Sequence, residues 1–160
     1  MKAQSNQAGA VSNRSMPPGT IIPEFLYEDL EAAVQWLCRT FGFKERLRIG
    51  NHRSQLVLGG ASFIAVAKPT GPASFSSYIA DQKPLQGEVT HSIMVRVEDV
   101  ERHYEHVQRC GARIINPPTD FPYEERQYTA EDLAGHRWTF SQSIADVDPG
   151  EWGGVLLLGE

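Results

Sequence analysis

Residues 23–31 read Pro-Glu-Phe-Leu-Tyr-Glu-Asp-Leu-Glu, and residues 92–101 read Ser-Ile-Met-Val-Arg-Val-Glu-Asp-Val-Glu. The same unit occurs twice: an alternating apolar strand that runs into an acidic helix start. Each copy is followed by a helical apolar period ending near a glycine, Gly42 in the first half and Gly111 in the second. Each half closes with a glycine-led apolar stretch, Gly-Ala-Ser-Phe-Ile-Ala-Val at 60–66 and Gly-His-Arg-Trp-Thr-Phe at 135–140. Two copies of one small unit predict a pseudo-symmetric fold with a shared cleft, and function is expected at that cleft.

The 160 residues suffice for one domain, or for two half-domains around one core. Apolar residues at 41% supply that core. A net charge of −5 argues against a general nucleic-acid or anionic-membrane surface, although Arg46, Arg48 and Arg53 form a local positive spot. The first residues lack the apolar core of a signal peptide, and no apolar run is long enough to span a bilayer. The reading is a cytoplasmic protein with reduced Cys38 and Cys110. Neither cysteine has a neighbouring base that would make it a nucleophile.

Residues 1–19 are rich in Ser, Asn, Gln, Gly and Pro without apolar period, and read as a flexible tail. The paired-module domain is expected over 20–145, with module one at 20–68, a linker at 69–88 and module two at 89–145. In module one a strand at about 21–27 leads to a helix capped by Asp29, with Leu30, Ala33, Val34, Leu37, Cys38 and Phe41 on its apolar stripe. Strands at 43–49, 54–58 and 62–67 follow. Module two repeats the order: a strand at 91–97, a helix capped by Asp99, a strand at 112–115, a proline-bearing loop, and strands near 126–129 and 136–141. The C-terminal tail, 146–160, carries Trp152 and the apolar run 155–158, and is expected to pack on the domain or on a dimer partner.

Strand–helix–strand–strand–strand, twice, is a distinctive order. With Tyr-Glu-Asp-Leu-Glu at 27–31, Val-Glu-Asp-Val-Glu at 97–101, Cys-Gly-Ala-Arg-Ile at 110–114 and Asp-Leu-Ala-Gly-His-Arg-Trp-Thr-Phe at 132–140, the chain resembles the vicinal-oxygen-chelate superfamily. That superfamily includes glyoxalase I, bleomycin-resistance proteins and extradiol dioxygenases, and the resemblance points to its PhnB-like branch. It implies an α+β fold, two βαβββ modules forming a curled mixed sheet with an open cup, often completed in a homodimer. Its enzymes hold a divalent metal in the cup with His, Gln and Glu from matching strands. Counted onto this chain, those positions are Ile22, Ile64, Ser92 and Thr139. Isoleucine has no lone pair to offer and neutral hydroxyls bind such ions weakly, so no metal cofactor is expected. His91, one position before Ser92, is the alternative ligand, brought inward only by a bulge. Regular alternation puts it with Ile93, Val95 and Val97 at the rim of the core.

The same alternation aims Ser92, Met94 and Arg96 into the cup, and by the repeat Ile22, Glu24 and Leu26. Trp138 and Phe140 face the helices, leaving Arg137, Thr139 and Ser141 inward. With Gln55, Val57 and Tyr128, the candidate binding set is Glu24, Leu26, Gln55, Val57, Met94, Arg96, Tyr128, Arg137 and Thr139. An apolar lining with a few polar groups suits an organic small molecule. Arginine can hold a carboxylate or stack on an aromatic plane, and methionine adapts to irregular shapes. Glu24 has three readings: ligand contact, general base, or a structural ion pair with Arg96 or Arg137. His103 reads as a half-buried structural histidine, and Phe121-Pro122-Tyr123 as an aromatic lip or a packing anchor.

Three functions compete. The first is a metal-free binding protein sequestering a toxic or antibiotic compound. The second is a lyase, isomerase or dioxygenase of the superfamily, using His91 and Glu24 with a metal, or Glu24 alone. The third is an interaction module with a vestigial cup. The reading leans towards the binder.

Overall fold

The computed structural model describes residues 13–68 and 91–157. The expected linker at 69–88 lies outside the described residues, as do 1–12 and 158–160. The first module runs β1 (Glu24–Tyr27), α1 (Leu30–Phe41), β2 (Lys44–Ile49), β3 (Arg53–Leu58) and β4 (Ala61–Ala67). The second runs β5 (Ser92–Arg96), α2 (Val100–Arg109), β6 (Arg113–Asp120), β7 (Glu125–Glu131) and β8 (Arg137–Ser143). A 3-10 turn, Pro149–Trp152, follows. The two mixed sheets have matching orders, β1-β4-β3-β2 and β5-β8-β7-β6, each with one parallel pair, β1–β4 or β5–β8. The α+β class and the two βαβββ modules are as the sequence predicts.

Local chemistry fixes the elements. The Asp29 carboxylate accepts from the Ala32 amide at 3.0 Å and Asp99 from Arg102 at 3.0 Å, satisfying donors that a helix start leaves open. Gln142 on β8 adds a third cap, accepting from the Val100 amide at 2.9 Å. Gly42 ends α1 at φ 83°, a left-handed conformation in which a side chain would be strained. The expected loop after 115 is corrected: β6 continues through Pro117 and Pro118 to Asp120. It can do so because β6 is an edge strand, and its register with β7 breaks on both sides of Asn116.

Alternation then builds a core common to both modules. Phe25, Tyr27, Leu56, Phe63 and Ala65 lie on one face of the first sheet, and Tyr128, Ala130, Trp138 and Phe140 on one face of the second; all are buried in a single cluster. Trp138 sits at the junction, with ring centroids 5.2–5.7 Å from Phe25, Phe41, Phe43 and Phe63 of the first module. Phe41 on α1 also packs edge-on against Phe140 at 5.0 Å. Polar bonds clasp the same seam. Asp132, 5% exposed, accepts from Tyr27 Oη at 2.8 Å and Trp138 Nε1 at 3.0 Å, and from the amides of Ala134 and His136. His136 Nε2 bonds the Leu26 carbonyl at 3.0 Å.

Because the modules merge through their helix-bearing faces, the other face of each sheet is left outside the shared core. The sheets are not closed on each other, and each presents its own outward face. The C-terminal run does not pack on its own domain: Val155, Leu156 and Leu157 are 80%, 69% and 86% exposed.

Candidate functional site

The outward face of the second sheet is a grid of polar side chains with one apolar member, Met94. Ladder register sets its rows: Ser92–Arg137–Glu131, Met94–Thr139–Thr129, Arg96–Ser141–Gln127, and Ser143–Glu125. Neighbours in a row lie on the same side of the sheet and bond across it. Thr129 and Thr139 hydroxyls are 3.0 Å apart, Gln127 Nε2 donates to Ser141 at 3.0 Å, and Arg137 Nε donates to Glu131 at 3.2 Å. Arg96 donates to Glu125 at 3.2 Å and to Ser143, which orients its guanidinium while leaving the side chain 67% exposed. Beside it Met94 is 57% exposed.

Glu125 anchors the grid, accepting from Ser141 Oγ at 2.6 Å as well as from Ser143 and Arg96. Burial disfavours its charge, but the hydrogen bonds from Ser141 and Ser143 and the nearby Arg96 outweigh burial, and its pKa falls below the ordinary 4.5. A depressed carboxylate stabilises the fold above its ordinary pKa, and that contribution is lost as pH falls through the lower folded-state value. Glu125→Gln is therefore expected to flatten the decline of stability below pH 4.5, read from urea melts at successive pH values. An unchanged acid decline would remove Glu125 as its source.

Where the second sheet meets the first module, a crevice of about 980 Å³ opens. Phe41, Phe43, Phe63, Ile93, Val95 and Trp138 give it an apolar wall, and Arg102, His103, His106 and Arg109 line it from α2. Met94 and Arg96 belong to both the crevice and the outward face. His103 is half-buried and bonds Tyr128 Oη through Nδ1 at 2.6 Å. Burial lowers its pKa and favours the neutral ring, so it is a fixed wall rather than a charge.

The predicted residues divide into two groups. Met94, Arg96, Arg137 and Thr139 share the outward face of the second sheet. Glu24, Leu26, Gln55 and Val57 share the outward face of the first. Tyr128 is corrected: it lies on the helix side, paired with Phe140 and 1% exposed, and Gln127 and Thr129 take the outward positions. The ion-pair partner of Glu24 is also corrected, to Arg53; Arg96 pairs with Glu125 and Arg137 with Glu131. Glu125, Gln127, Thr129 and Glu131 are the residues that sequence reasoning missed. Pairing β7 to β8 from the Asp132–His136 turn would have found them, since Glu131 opposite Arg137 fixes every later pair.

The metal expected of the superfamily's enzymes does not fit these positions. Ile64 is buried and apolar, Thr139 already bonds Thr129, and His91 stacks on Phe25 at 5.4 Å. Among the described residues no group of three or more His, Cys, Asp or Glu side chains is arranged to hold a metal ion. Burial raises the Cys38 thiol pKa, which disfavours the thiolate a nucleophile needs.

Two like modules of this order, joined through their helix faces, define a paired βαβββ protein. The family model described as Glyoxalase/Bleomycin resistance protein/Dioxygenase superfamily matches residues 23–140, and the chain belongs to that family. Among solved structures it is similar to TioX from Micromonospora sp. ML1, at 30% identity over 79% of this chain and 99% of that one, with a TM-score of 0.62. A glyoxalase/bleomycin resistance protein/dioxygenase family enzyme from Burkholderia phytofirmans PsJN shares the fold at 17% identity, covering 76% of this chain and 95% of its own, TM-score 0.62. The fosfomycin resistance protein FosX from Listeria monocytogenes does so at 15% identity, covering 79% and 92%, TM-score 0.60. No curated protein matches the chain. Among the described residues no helix is long and apolar enough to cross a membrane.

Proposed function

We propose that this protein binds an organic small molecule, without a metal, at the junction of the inter-module crevice and the outward face of the second sheet. The observation that carries the reading is the placement of Met94 and Arg96 on a crevice of about 980 Å³ that Ile93 and Val95 also line. That volume is at the upper end of small-molecule pockets. An apolar or aromatic body would lie against Ile93, Met94 and Val95. Arg96, already aimed by Glu125 and Ser143, would meet an anionic or planar group. Resistance to a toxic compound in the cytoplasm is the role we infer, in keeping with a family whose names include bleomycin resistance and a neighbour named for fosfomycin resistance.

The working form is proposed to be a homodimer. One chain keeps its two groups of site residues on separate sheets, and it leaves Val155–Leu157 in water; a second copy could bring one group against the other and cover that run.

The test combines calorimetry against a panel including bleomycin, fosfomycin and aromatic carboxylates with the mass in solution. At least one organic compound is expected to bind the dialysed protein, and Arg96→Ala to weaken it about tenfold, the loss of one charge-assisted bond. Stoichiometric tight metal in that protein, or binding indifferent to Arg96→Ala, would overturn the site. A monomeric mass at working concentration would remove the dimer.

A further inference from the structure

The outward face of the first sheet is already covered by the chain's own N-terminal residues. Gln55 on β3 donates from Nε2 to the Ser15 carbonyl at 2.7 Å, Arg46 on β2 donates from Nη2 to the Arg14 carbonyl at 2.7 Å, and Ser62 on β4 donates to the Pro18 carbonyl. Arg46 also donates to Gln55 Oε1 at 2.5 Å, so two of the three anchors brace each other. The segment crosses three strands, and Pro17, buried between the carbonyls of Ser15 and Pro18, is its inward point.

Burial on the sheet tells the same story independently. Gln55 and Ile64 are each 5% exposed and Ser62 is 7% exposed, although the ladder turns all three away from the core between the modules. Gln55 pairs with Ile64 in the ladder, on the face turned away from Leu56 and Phe63, the helix-side pair. That face is therefore screened from water by something other than the core, and the carbonyl bonds identify residues 14–18 as what lies over it.

The attachment is slight. Asn13, Arg14, Ser15, Met16, Pro18, Gly19 and Thr20 are exposed, and Pro17 alone of the segment is buried. The anchors to the sheet are side-chain bonds to backbone carbonyls, with no strand ladder. A contact of this kind opens at a small fraction of the free energy of global unfolding.

We propose that residues 13–19 are a displaceable cover over a second binding face, and that this face accepts carbonyl-presenting chains that turn as the cover does, where the Met16 amide donates to the Asn13 carbonyl at 3.1 Å. The three donors recognise carbonyl oxygens rather than any side chain, so a peptide or other oligoamide with similar spacing can replace the cover. Ser62 of this face also lines the Met94–Arg96 crevice, and the dimer reading brings the Gln55 group against the second sheet, so the face adjoins the site assigned there; the cover itself is tested by readouts that do not depend on a ligand in the crevice.

The experiment uses the full-length protein with two loosening variants, Pro17→Asp in the cover and Gln55→Leu in the sheet. The probes are tryptic cleavage after Arg14 and binding of anilinonaphthalene sulfonate, a dye that reports uncovered apolar surface. Wild type is expected to be cut about tenfold more slowly than a free peptide of residues 10–20. Both variants should approach the peptide's rate and gain dye binding, and added peptide of residues 13–19 should suppress that gain. Arg96→Ala, which alters the crevice, should leave the gain intact. Wild-type cleavage at the peptide's rate, loosening with no gain in dye binding, or an effect confined to Pro17→Asp would each overturn the proposal.

Discussion

Asp132→Ala is expected to lower stability by about 4 kcal/mol, read from urea denaturation, and to drop the melting temperature by about 10 °C. One carboxylate at the seam serves four donors: Tyr27 Oη, Trp138 Nε1 and the amides of Ala134 and His136. Removing it strands the Tyr27 hydroxyl and the Trp138 ring N–H among residues that are 1% exposed. A buried donor left without an acceptor forfeits its water bonds and receives nothing in return. Tyr27 itself is held protonated, since burial first and the neighbouring Asp132 charge second push its pKa up, so it remains a donor. Tyr27→Phe removes one bond and leaves the other three, and should be far milder, about 1 kcal/mol. A loss under about 1 kcal/mol in Asp132→Ala would show that water fills the gap and that the clasp is not a structural anchor.

Trp138→Ala should be at least as severe, about 4–5 kcal/mol by the same measurement. The indole touches four phenylalanines of the first module, so its removal opens a void that neither sheet alone can collapse into. Trp138→Phe keeps much of that packing but gives up the bond to Asp132. Because the two residues are in contact, the combination Asp132→Ala with Trp138→Phe should be less damaging than the sum of the single changes. Strict additivity would mean that the hydrogen bond contributes nothing measurable to the seam.

Much of the architecture was readable because it rests on local signals. Asp29 and Asp99 cap as their positions before apolar periods require, Gly42 ends α1, and the alternation of residues 92–96 placed Met94 and Arg96 outward. Tyr128 went astray because alternation gives two faces without saying which is which. That choice depends on the pairing of β7 with β8, a long-range fact set by the closing pair Glu131–Arg137. The run through Pro117 and Pro118 looked like a loop because proline cannot donate to a ladder, and only the edge position of β6 makes it tolerable. The cover formed by residues 13–19 was invisible for another reason. Its anchors grip backbone carbonyls, which every residue carries, so low-complexity composition there says nothing about docking.

The seam through Trp138 and Asp132 has a consequence for how such a chain can diverge. Inside, each half is the other's solvent: a changed ring in one must be answered by a changed ring in its twin. Outside, no such bargain applies. The second half carries a mesh of arginine, glutamate and hydroxyl groups, whereas the first has glutamine and serine gripping a strip of its own chain. A duplicated unit welded along its back is thus free to present two unlike recognition surfaces while remaining one cooperative body.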